Sequence, residues 1–264
     1  MQIIDFHTHA FPDAVAEKAV PALEAAAEVN AFHDGTIAGL LESMDTASIE
    51  KAVVCSIATK PSQFSPILEW STSIRSERLF PLASVHPEDE QLEEHVHEVK
   101  KAGLSGIKMH PYYQNYSIDE ERMFPFYEAL IENELFLVCH TGFDIAYPRD
   151  RIADPEKIKF IAEKYPSLCF ITTHLGAWED WKEVEKHLMG KPVYIEISYT
   201  LGILEDDEFV RLVNKHPADY LLFGTDSPWD DQKRAKEHLL SLPLSESLKE
   251  KMLHTNAARL LKLQ

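Results

Sequence analysis

Eight short apolar runs, each followed by a polar or helical segment, recur along the whole chain and limit its fold more than any other feature. Their positions are Ile3–His7, Ala52–Ala58, Leu82–His86, Gly106–His110, Phe136–His140, Cys169–His174, Val193–Ser198 and Tyr220–Gly224. The polar residues at the ends of the later runs follow one another at intervals of 24 to 34 residues. A strand with its crossover helix needs roughly 30 residues. The pattern therefore predicts a single (β/α)8 barrel domain over residues 1–264.

The alternative arrangement of such units is an open, doubly wound sheet. That fold usually carries a glycine-rich phosphate-binding turn after its first strand. The chain has nine glycines and no such turn follows any of the eight runs, so the barrel is favoured. The segment Ser241–Gln264 predicts two helical stretches after the last strand. We expect one to complete the barrel and an extra C-terminal helix to pack beneath or across it.

Charge and cysteine usage limit the binding partners and the cellular compartment that we expect. Asp and Glu outnumber Lys and Arg by 44 to 26, which gives a net charge of −18, so we expect no nucleic-acid or membrane partner. No apolar window approaches about 18 residues, and the segment MQIIDFHTH lacks the features of a signal peptide. Cys55, Cys139 and Cys169 lie in apolar runs without a CxxC pair. These features predict reduced thiols and a cytoplasmic protein.

A histidine pair ends the first predicted strand, in the run Asp5-Phe6-His7-Thr8-His9. Residues two apart on a strand point to the same side, so His7 and His9 can offer two imidazoles to one metal ion. A second pair, His95 and His97, lies in a charged segment that predicts a helix. Two positions on a helix correspond to about 200° of rotation, so those rings diverge. We expect His95 and His97 to be solvated surface residues.

Three later strands also end in residues that bind metals. His140 and His174 end the fifth and sixth runs, and Asp226 follows the eighth. In a (β/α)8 barrel the carboxyl ends of all strands meet at one mouth, where catalysis takes place. Together with the first histidine pair, these residues predict a metal centre there. Imidazole nitrogen and carboxylate oxygen suit zinc, manganese or iron(II).

Further polar residues are predicted to face the interior or the mouth. Lys108 and His110 alternate with Ile107 and Met109 on the fourth strand. A buried lysine is unfavourable unless it is paired or modified. Lys108 is therefore predicted to bridge a second metal ion as a carbamate, to hold a substrate carboxylate, or to pair with Glu196, which also faces inward by alternation.

The loops after the strands add side chains that could contact a substrate. Arg149, after the fifth strand, could bind an anion or lie on the surface. Four aromatic residues lie just beyond strand ends and could form an apolar pocket or pack within loops: Tyr112, Tyr113, Trp178 and Trp229.

Six stretches of the sequence resemble the amidohydrolase superfamily, specifically its amidohydrolase-related branch with the aminocarboxymuconate-semialdehyde decarboxylase-like enzymes. They are DFHTH, GIKMHP, VCHTG, THLGA, FGTDSPW and HTNAARLLKL, and they extend from Asp5 to Leu263. The resemblance implies a (β/α)8 barrel with a catalytic divalent metal, usually zinc. By position it implies metal ligation by His7, His9, His140 and Asp226.

The resemblance also implies roles for two more residues. His174 matches the histidine that hydrogen-bonds the attacking water or the substrate. Lys108 matches in strand position the lysine that is carboxylated in two-metal members, where the histidine equivalent to His174 binds the second ion. The decarboxylase-like members generally lack this lysine, so both one ion and two ions remain compatible with the sequence, and His110, Glu196 and Arg149 remain candidates for the second ion or the substrate.

These features predict a metal-dependent hydrolase that acts on a small amide, cyclic amide, lactone or ester. His174 or Asp226 would take a proton from the attacking water, and Asp226 would pass it to the leaving group. One alternative is non-oxidative decarboxylation at the same site, and another is a metal-binding barrel without catalysis. Homodimerisation is compatible with such a barrel.

Overall fold

The computed structural model describes residues 2–263, which form eight short strands alternating with helices. The strands are β1 Ile4–Thr8, β2 Lys51–Val54, β3 Leu79–Pro81, β4 Gly106–Met109, β5 Phe136–Cys139, β6 Phe170–Thr172, β7 Tyr194–Glu196 and β8 Leu221–Leu222. The first helices are α1 Asp13–Ala27, α2 Ile37–Ala47, α3 Phe64–Ile74, α4 Leu92–Lys101, α5 Pro111–Gln114 and α6 Phe124–Glu132. The later ones are α7 Pro155–Lys164, α8 Trp181–His187, α9 Asp206–Lys215, α10 Gln232–Ser241, α11 Glu246–Glu250 and α12 Asn256–Leu260. Among residues 2–263, no helix combines the length and the apolar composition needed to cross a lipid bilayer.

The strands form a ring of parallel neighbours. β1, β2 and β3 pair in sequence order, and a second parallel run joins β4 through β8. Hydrogen bonds also join β3 to β4 and β8 to β1, which closes the ring. The amide of Lys108 donates to the carbonyl of Ala83 at 2.9 Å, and the amide of Phe6 donates to the carbonyl of Phe223 at 2.8 Å. The fold is the predicted (β/α)8 barrel.

Alternation along the strands separates an inner core from an outer one. On β4, Ile107 and Met109 belong to the layer between strands and helices, whereas Lys108 faces the barrel interior, as predicted. The lower interior is filled by side chains from several strands and from the C-terminus, namely Ile4, Phe6, Val53, Leu82, Val138, Ile171, Leu222, Ala257 and Leu261. This apolar floor leaves the polar interior residues at the carboxyl ends of the strands.

The third strand begins earlier than the sequence predicts. The predicted segment is Leu82–His86, whereas β3 pairs Leu79 with Ala52 of β2 and ends at Pro81. The predicted residues continue from it, since the amide of Leu82 still donates to β2 and Ala83 forms the junction with β4. Pairing with β2 therefore sets where this strand starts.

The helix that completes the barrel also differs from the expectation. The sequence predicts it within Ser241–Gln264, whereas α10 begins at Gln232. Asp231 caps this helix by accepting the amide of Arg234 at 2.7 Å. The prediction was wrong here because α10 is mostly polar and buries only Gln232, Ala235 and Leu239.

The C-terminal stretch packs beneath the barrel, which confirms the predicted extra helix. A turn of π-helix joins α11 to α12, and the carbonyl of Met252 within it accepts the amide of Phe223 at 2.9 Å. The side-chain amide of Asn256 donates to the carbonyl of Leu221 at 2.8 Å. The last residue, Gln264, lies outside the described residues.

A buried histidine below the sheet predicts acid sensitivity of the fold. Nε2 of His216 donates to the carbonyl of Val193 at 2.9 Å, and its Nδ1 is buried without a partner among residues 2–263. Burial lowers the pKa of His216 from 6.5 to about 4, although the hydrogen bond to Val193 opposes this shift. The unfolded chain therefore binds this proton at a higher pH than the folded chain. Stability from neutral His216 is complete above pH 6.5 and is lost as the pH falls toward 4.

We expect the free energy of unfolding to fall by on the order of 3 kcal/mol between pH 6.5 and pH 4 because of His216. Urea unfolding at the two ends of the interval measures it. His216→Gln keeps a donor for Val193 but cannot titrate, so this variant should lose less stability on acidification than the parent. Equal losses in the two proteins would contradict the assignment.

Candidate metal centre

An irregularity in β1 brings the first histidine pair to the mouth. The register of β1 against β2 shifts between Asp5 and Thr8. Before the shift, Phe6 lies in the inner core, and Asp5 faces outward to α10. The shift allows His7, the residue after Phe6, to face the interior as well, and His9 follows on the same side.

Three donor atoms meet at the carboxyl ends of β1 and β8. Nε2 of His7 lies 3.1 Å from Nε2 of His9 and 3.3 Å from Oδ1 of Asp226. Nε2 of His9 lies 3.0 Å from the same oxygen. Ligands about 2.1 Å from one ion lie about 3.0 to 3.4 Å apart at octahedral or tetrahedral angles. The three separations therefore match the edges of a coordination polyhedron.

The hydrogen bonds of the two rings show which nitrogens carry the proton. Nδ1 of His9 donates to the carbonyl of Cys55 at 2.8 Å, and Nδ1 of His7 donates to the carboxylate of Glu196 at 3.0 Å. Burial, followed by the charge of a nearby lysine, holds the pKa of His7 well below its usual range. Burial raises the pKa of Asp226, but His7 and His9 outweigh it and keep that pKa well below normal. Three unprotonated donors thus face one point, which fits a divalent cation.

A buried carboxylate that sequence reasoning missed holds the two sides of this group together. Asp5 accepts a hydrogen bond from the hydroxyl of Thr225 at 2.6 Å and from the side-chain amide of Gln232 at 2.8 Å. Burial raises the pKa of Asp5 to about 7, against the effect of its hydrogen bonds. Asp226, next to Thr225, has a left-handed φ of 67°, and its amide donates to the carbonyl of His7 at 2.8 Å. Asp5 therefore fixes a strained segment beside the donors.

Glu196 lies behind His7, and both of its carboxylate oxygens accept hydrogen bonds from the protein. Besides accepting from His7, it accepts from the amide of His174 at 3.1 Å and from the amide of Ser198 at 2.7 Å. A Cβ atom at Gly224 would collide with this carboxylate. Glycine is thus required at position 224, just after β8, because Glu196 approaches its backbone closely. In the sequence, only the FGTD run pointed to this glycine.

Lys108 is fully buried beside the three donors. Its Nζ lies 3.1 Å from Nε2 of His7. Among residues 2–263, no ion pair joins Lys108 to Glu196, so the simple internal pair considered from the sequence does not occur. The lysine is placed where it can influence a bound cation or the reacting groups.

His140 lies with His174 and not with the three donors around His7. Nδ1 of His140 is 3.1 Å from Nε2 of His174, whose Nδ1 donates to the carbonyl of Ser198 at 3.1 Å. Nε2 of His140 donates to the carbonyl of Phe143, also at 3.1 Å. Two unprotonated nitrogens therefore face each other, an arrangement that requires a proton on one ring or a cation between them. His174 has a left-handed φ of 58°.

A second buried group contains Asp144, which sequence reasoning did not single out. Its Oδ2 lies 3.4 Å from Nε2 of His110 and 3.8 Å from Nε2 of His140. Nδ1 of His110 accepts the amide of Tyr113 at 3.4 Å, so its Nε2 carries the proton. N–H groups, not lone pairs, therefore face this carboxylate, and the group suits an internal electrostatic cluster better than a metal. The only clue was the position of Asp144 four residues after His140.

The remaining sequence candidates lie away from this centre. Arg149 pairs with Glu179 on the surface, lies over the ring of Phe143 and is 57% exposed. His97 is exposed, as predicted. His95 is not a fully solvated residue, because its ring stacks on a neighbouring phenylalanine with centroids 3.7 Å apart.

Comparisons with known proteins agree with this description. A comparison with curated proteins gives no match. Among solved structures, an uncharacterized TIM-barrel protein from Bordetella bronchiseptica superposes with a TM-score of 0.77, at 21% identity over 99% of both chains. A variant of 5-carboxyvanillate decarboxylase from Novosphingobium aromaticivorans, with bound manganese, gives 0.75 at 14% identity, over 99% of this chain and 97% of that one. 2,6-Dihydroxybenzoate decarboxylase complexed with 2,6-dihydroxybenzoate gives 0.73 at 17% identity over the whole of both chains.

These structures share the fold of the chain, and a match to a family model identifies its family. The model for the amidohydrolase family matches residues 4–263, almost the entire sequence. The match confirms the resemblance seen in the sequence motifs. The protein therefore belongs to the amidohydrolase family, within a superfamily of enzymes.

Proposed function

We propose that the protein is a metal-dependent hydrolase that acts on a small amide, cyclic amide, lactone or ester. The observation that carries this proposal is the convergence of three unprotonated donor atoms, from His7, His9 and Asp226, at the barrel mouth. These residues would hold a divalent cation. When bound, such an ion acts as a Lewis acid and lowers the pKa of water.

The donor set, two imidazole nitrogens and one carboxylate oxygen, suits zinc, manganese or iron(II). The sequence favoured zinc by resemblance, whereas a solved relative in fold holds manganese. We propose a divalent transition metal. If the centre takes a second ion, His140 and His174, whose unprotonated nitrogens face each other, would hold it.

The protein residues around the donors supply the proton transfers. Asp226 stays ionised near neutral pH, because His7 and His9 lower its pKa. It is therefore available to accept a proton from the attacking water and to pass it to the leaving group. His174 is held by the carbonyl of Ser198, and its own carbonyl accepts the indole N–H of Trp181 at 3.1 Å. This fixed ring would orient the water or the substrate carbonyl.

Decarboxylation at the same centre is the alternative, since several of the solved structures with this fold are decarboxylases. Hydrolysis is favoured by the charges near the mouth. A decarboxylase must recognise a substrate carboxylate. Lys108 could contact it at the centre, but a guanidinium provides the bidentate contact that suits a carboxylate best. Three arginines near the mouth are all paired with acids: Arg149 and Arg151 in the loop after β5, and Arg234 at the start of α10.

An isotope experiment distinguishes the two reactions. The metal-loaded protein is incubated in H₂¹⁸O with a panel of lactones, esters, amides and aromatic carboxylic acids. Mass spectrometry should find ¹⁸O in the carboxylate product of a lactone, ester or amide, with no release of carbon dioxide from the acids. Carbon dioxide release without ¹⁸O incorporation would establish decarboxylation instead. A metal-loaded protein that turns over none of the panel would favour the non-catalytic alternative.

A further inference from the structure

We propose that the substrate of this centre is uncharged outside its reacting group and has a planar apolar part that lies against aromatic side chains at the mouth. This inference rests on the proposed hydrolase function and specifies its substrate class. It follows from three features of the loops around the histidines: the aromatic rings, the exposed apolar side chains and the paired arginines.

Aromatic rings border the pair formed by His140 and His174 on both sides. On one side, the ring centroid of Tyr113 is 4.2 Å from that of His110, and Tyr112 lies edge-on to His140 at 6.0 Å. Tyr147 packs against Tyr113 at 5.4 Å. These rings extend the polar centre with aromatic faces and edges, against which a planar apolar ligand can pack.

The other side of this histidine pair, formed by the loops after β6 and β7, repeats this arrangement. Trp178 lies edge-on to His174, with centroids 6.2 Å apart, and Tyr199 packs on Trp178 at 5.3 Å. Tyr199 has a left-handed φ of 51°. A strained backbone at a half-buried aromatic residue is typical of positions that contact ligands. The two aromatic sides therefore flank the histidines that would face the substrate.

Exposed apolar side chains continue this surface toward solvent. Phe32 is 52% exposed, and its amide donates to the carbonyl of Pro228, two residues after Asp226. Ile145 is 54% exposed in the loop after β5, and Ile203 is 48% exposed in the loop after β7. Exposed apolar groups that surround a polar centre favour ligands with apolar surface. We call Phe32, Ile145, Tyr147 and Ile203 the apolar rim.

The charges near the rim disfavour a carboxylated ligand. Arg149 pairs with Glu179, and Nη1 of Arg151 lies 2.9 Å from Asp180. The guanidinium of Arg234 pairs with the buried carboxylate of Asp230.

Because these arginines are paired, none of them is free to bind a substrate carboxylate away from the reacting group. Lys60 and Lys233 are exposed, and their strongly hydrated ammonium groups bind a carboxylate less well than a guanidinium does. The net charge of −18 adds repulsion of anions.

A matched pair of lactones tests the charge preference. Dihydrocoumarin is neutral, and its 6-carboxylate carries a charge on the aromatic ring away from the reacting carbonyl. With the metal-loaded protein, we expect kcat/KM for the neutral lactone to exceed that for the carboxylate at least tenfold, and the difference to shrink in high salt. Equal or faster hydrolysis of the carboxylate would overturn the proposal.

Variants of the apolar rim test whether the rim causes the preference for the neutral lactone. Ile145→Lys and Ile203→Lys place a cation on the rim at exposed positions, so folding should be preserved. They should reduce the preference for the neutral lactone about threefold or more, by accelerating the carboxylate. Val15→Lys is the matched control, because Val15 is 46% exposed on α1. If the rim variants behave like this control, the rim does not contact the substrate.

A binding measurement separates failure of this inference from failure of the proposed function. If neither lactone is hydrolysed, the hydrolase proposal is contradicted for this class. Quenching of tryptophan fluorescence by each lactone then still measures the order of affinity, because Trp178 lies in the aromatic surface. Tighter binding of the neutral lactone, by at least tenfold, supports the inference, and the reverse order overturns it.

Discussion

Replacing His9 with alanine is expected to remove most of the bound metal and to lower kcat/KM by about 10³-fold or more, about 4 kcal/mol of transition-state stabilisation. His9 supplies one of the three donors, and the carbonyl of Cys55 fixes its tautomer. Its loss would leave His7, which also contacts Lys108, and Asp226. Metal per chain after dialysis, measured by plasma mass spectrometry alongside turnover, provides the test.

The chain offers a matched control for this experiment. His97 belongs to the second histidine pair of the sequence, but it is exposed on α4 and its Nδ1 hydrogen-bonds Asn133 at 2.8 Å. His97→Ala should retain both metal and activity. Unchanged metal content in His9→Ala, or an equal loss in His97→Ala, would show that the three-donor group does not hold the ion.

The barrel could be predicted from the regular spacing of the apolar runs, and the residues at its mouth from their positions at the ends of those runs. A polar residue that ends an apolar run must lie at the carboxyl edge, whatever the details of the loops. His7, His140, His174 and Asp226 were located in this way, from single positions along the chain. Helix α10 escaped detection because its charged sequence buries few residues, so its periodicity carries little apolar signal.

The grouping of these residues could not be predicted, because it depends on interactions between distant segments. The inward turn of His7 follows from a register shift against β2, which alternation along one strand does not reveal. The separation of His140 from the His7 group follows from its hydrogen bond to Phe143 and its contact with His174. The surface position of Arg149 depends on Glu179, an acid on a different loop.

The same hydrogen bonds explain why two similar clusters have different chemistry. The backbone and Glu196 take the Nδ1 protons of His7 and His9, which leaves lone pairs facing Asp226. Around Asp144 the protons lie on the nitrogens that face the carboxylate. Residue types alone make both clusters plausible metal sites, and only the partners behind the rings distinguish them.

His174→Ala is expected to retain at least one metal ion per chain while lowering kcat by about 10²- to 10⁴-fold, the usual contribution of a proton-transfer group. The three donors around His7 remain intact in this variant, since His174 is not among them. Its ring instead contacts His140 and Ser198, where it can orient the water or the substrate.

Metal content and kcat measured on the same preparation provide the test, with His187→Ala as the control. His187 lies on α8, in the βα unit of His174, and its Nε2 hydrogen-bonds Glu183 at 3.2 Å. This control should keep both properties. A fall from two ions to one in His174→Ala would place the second ion between His140 and His174, since only the pair that faces across 3.1 Å is broken. Full activity without His174 would remove it from the reaction, and complete metal loss would place it among the essential ligands.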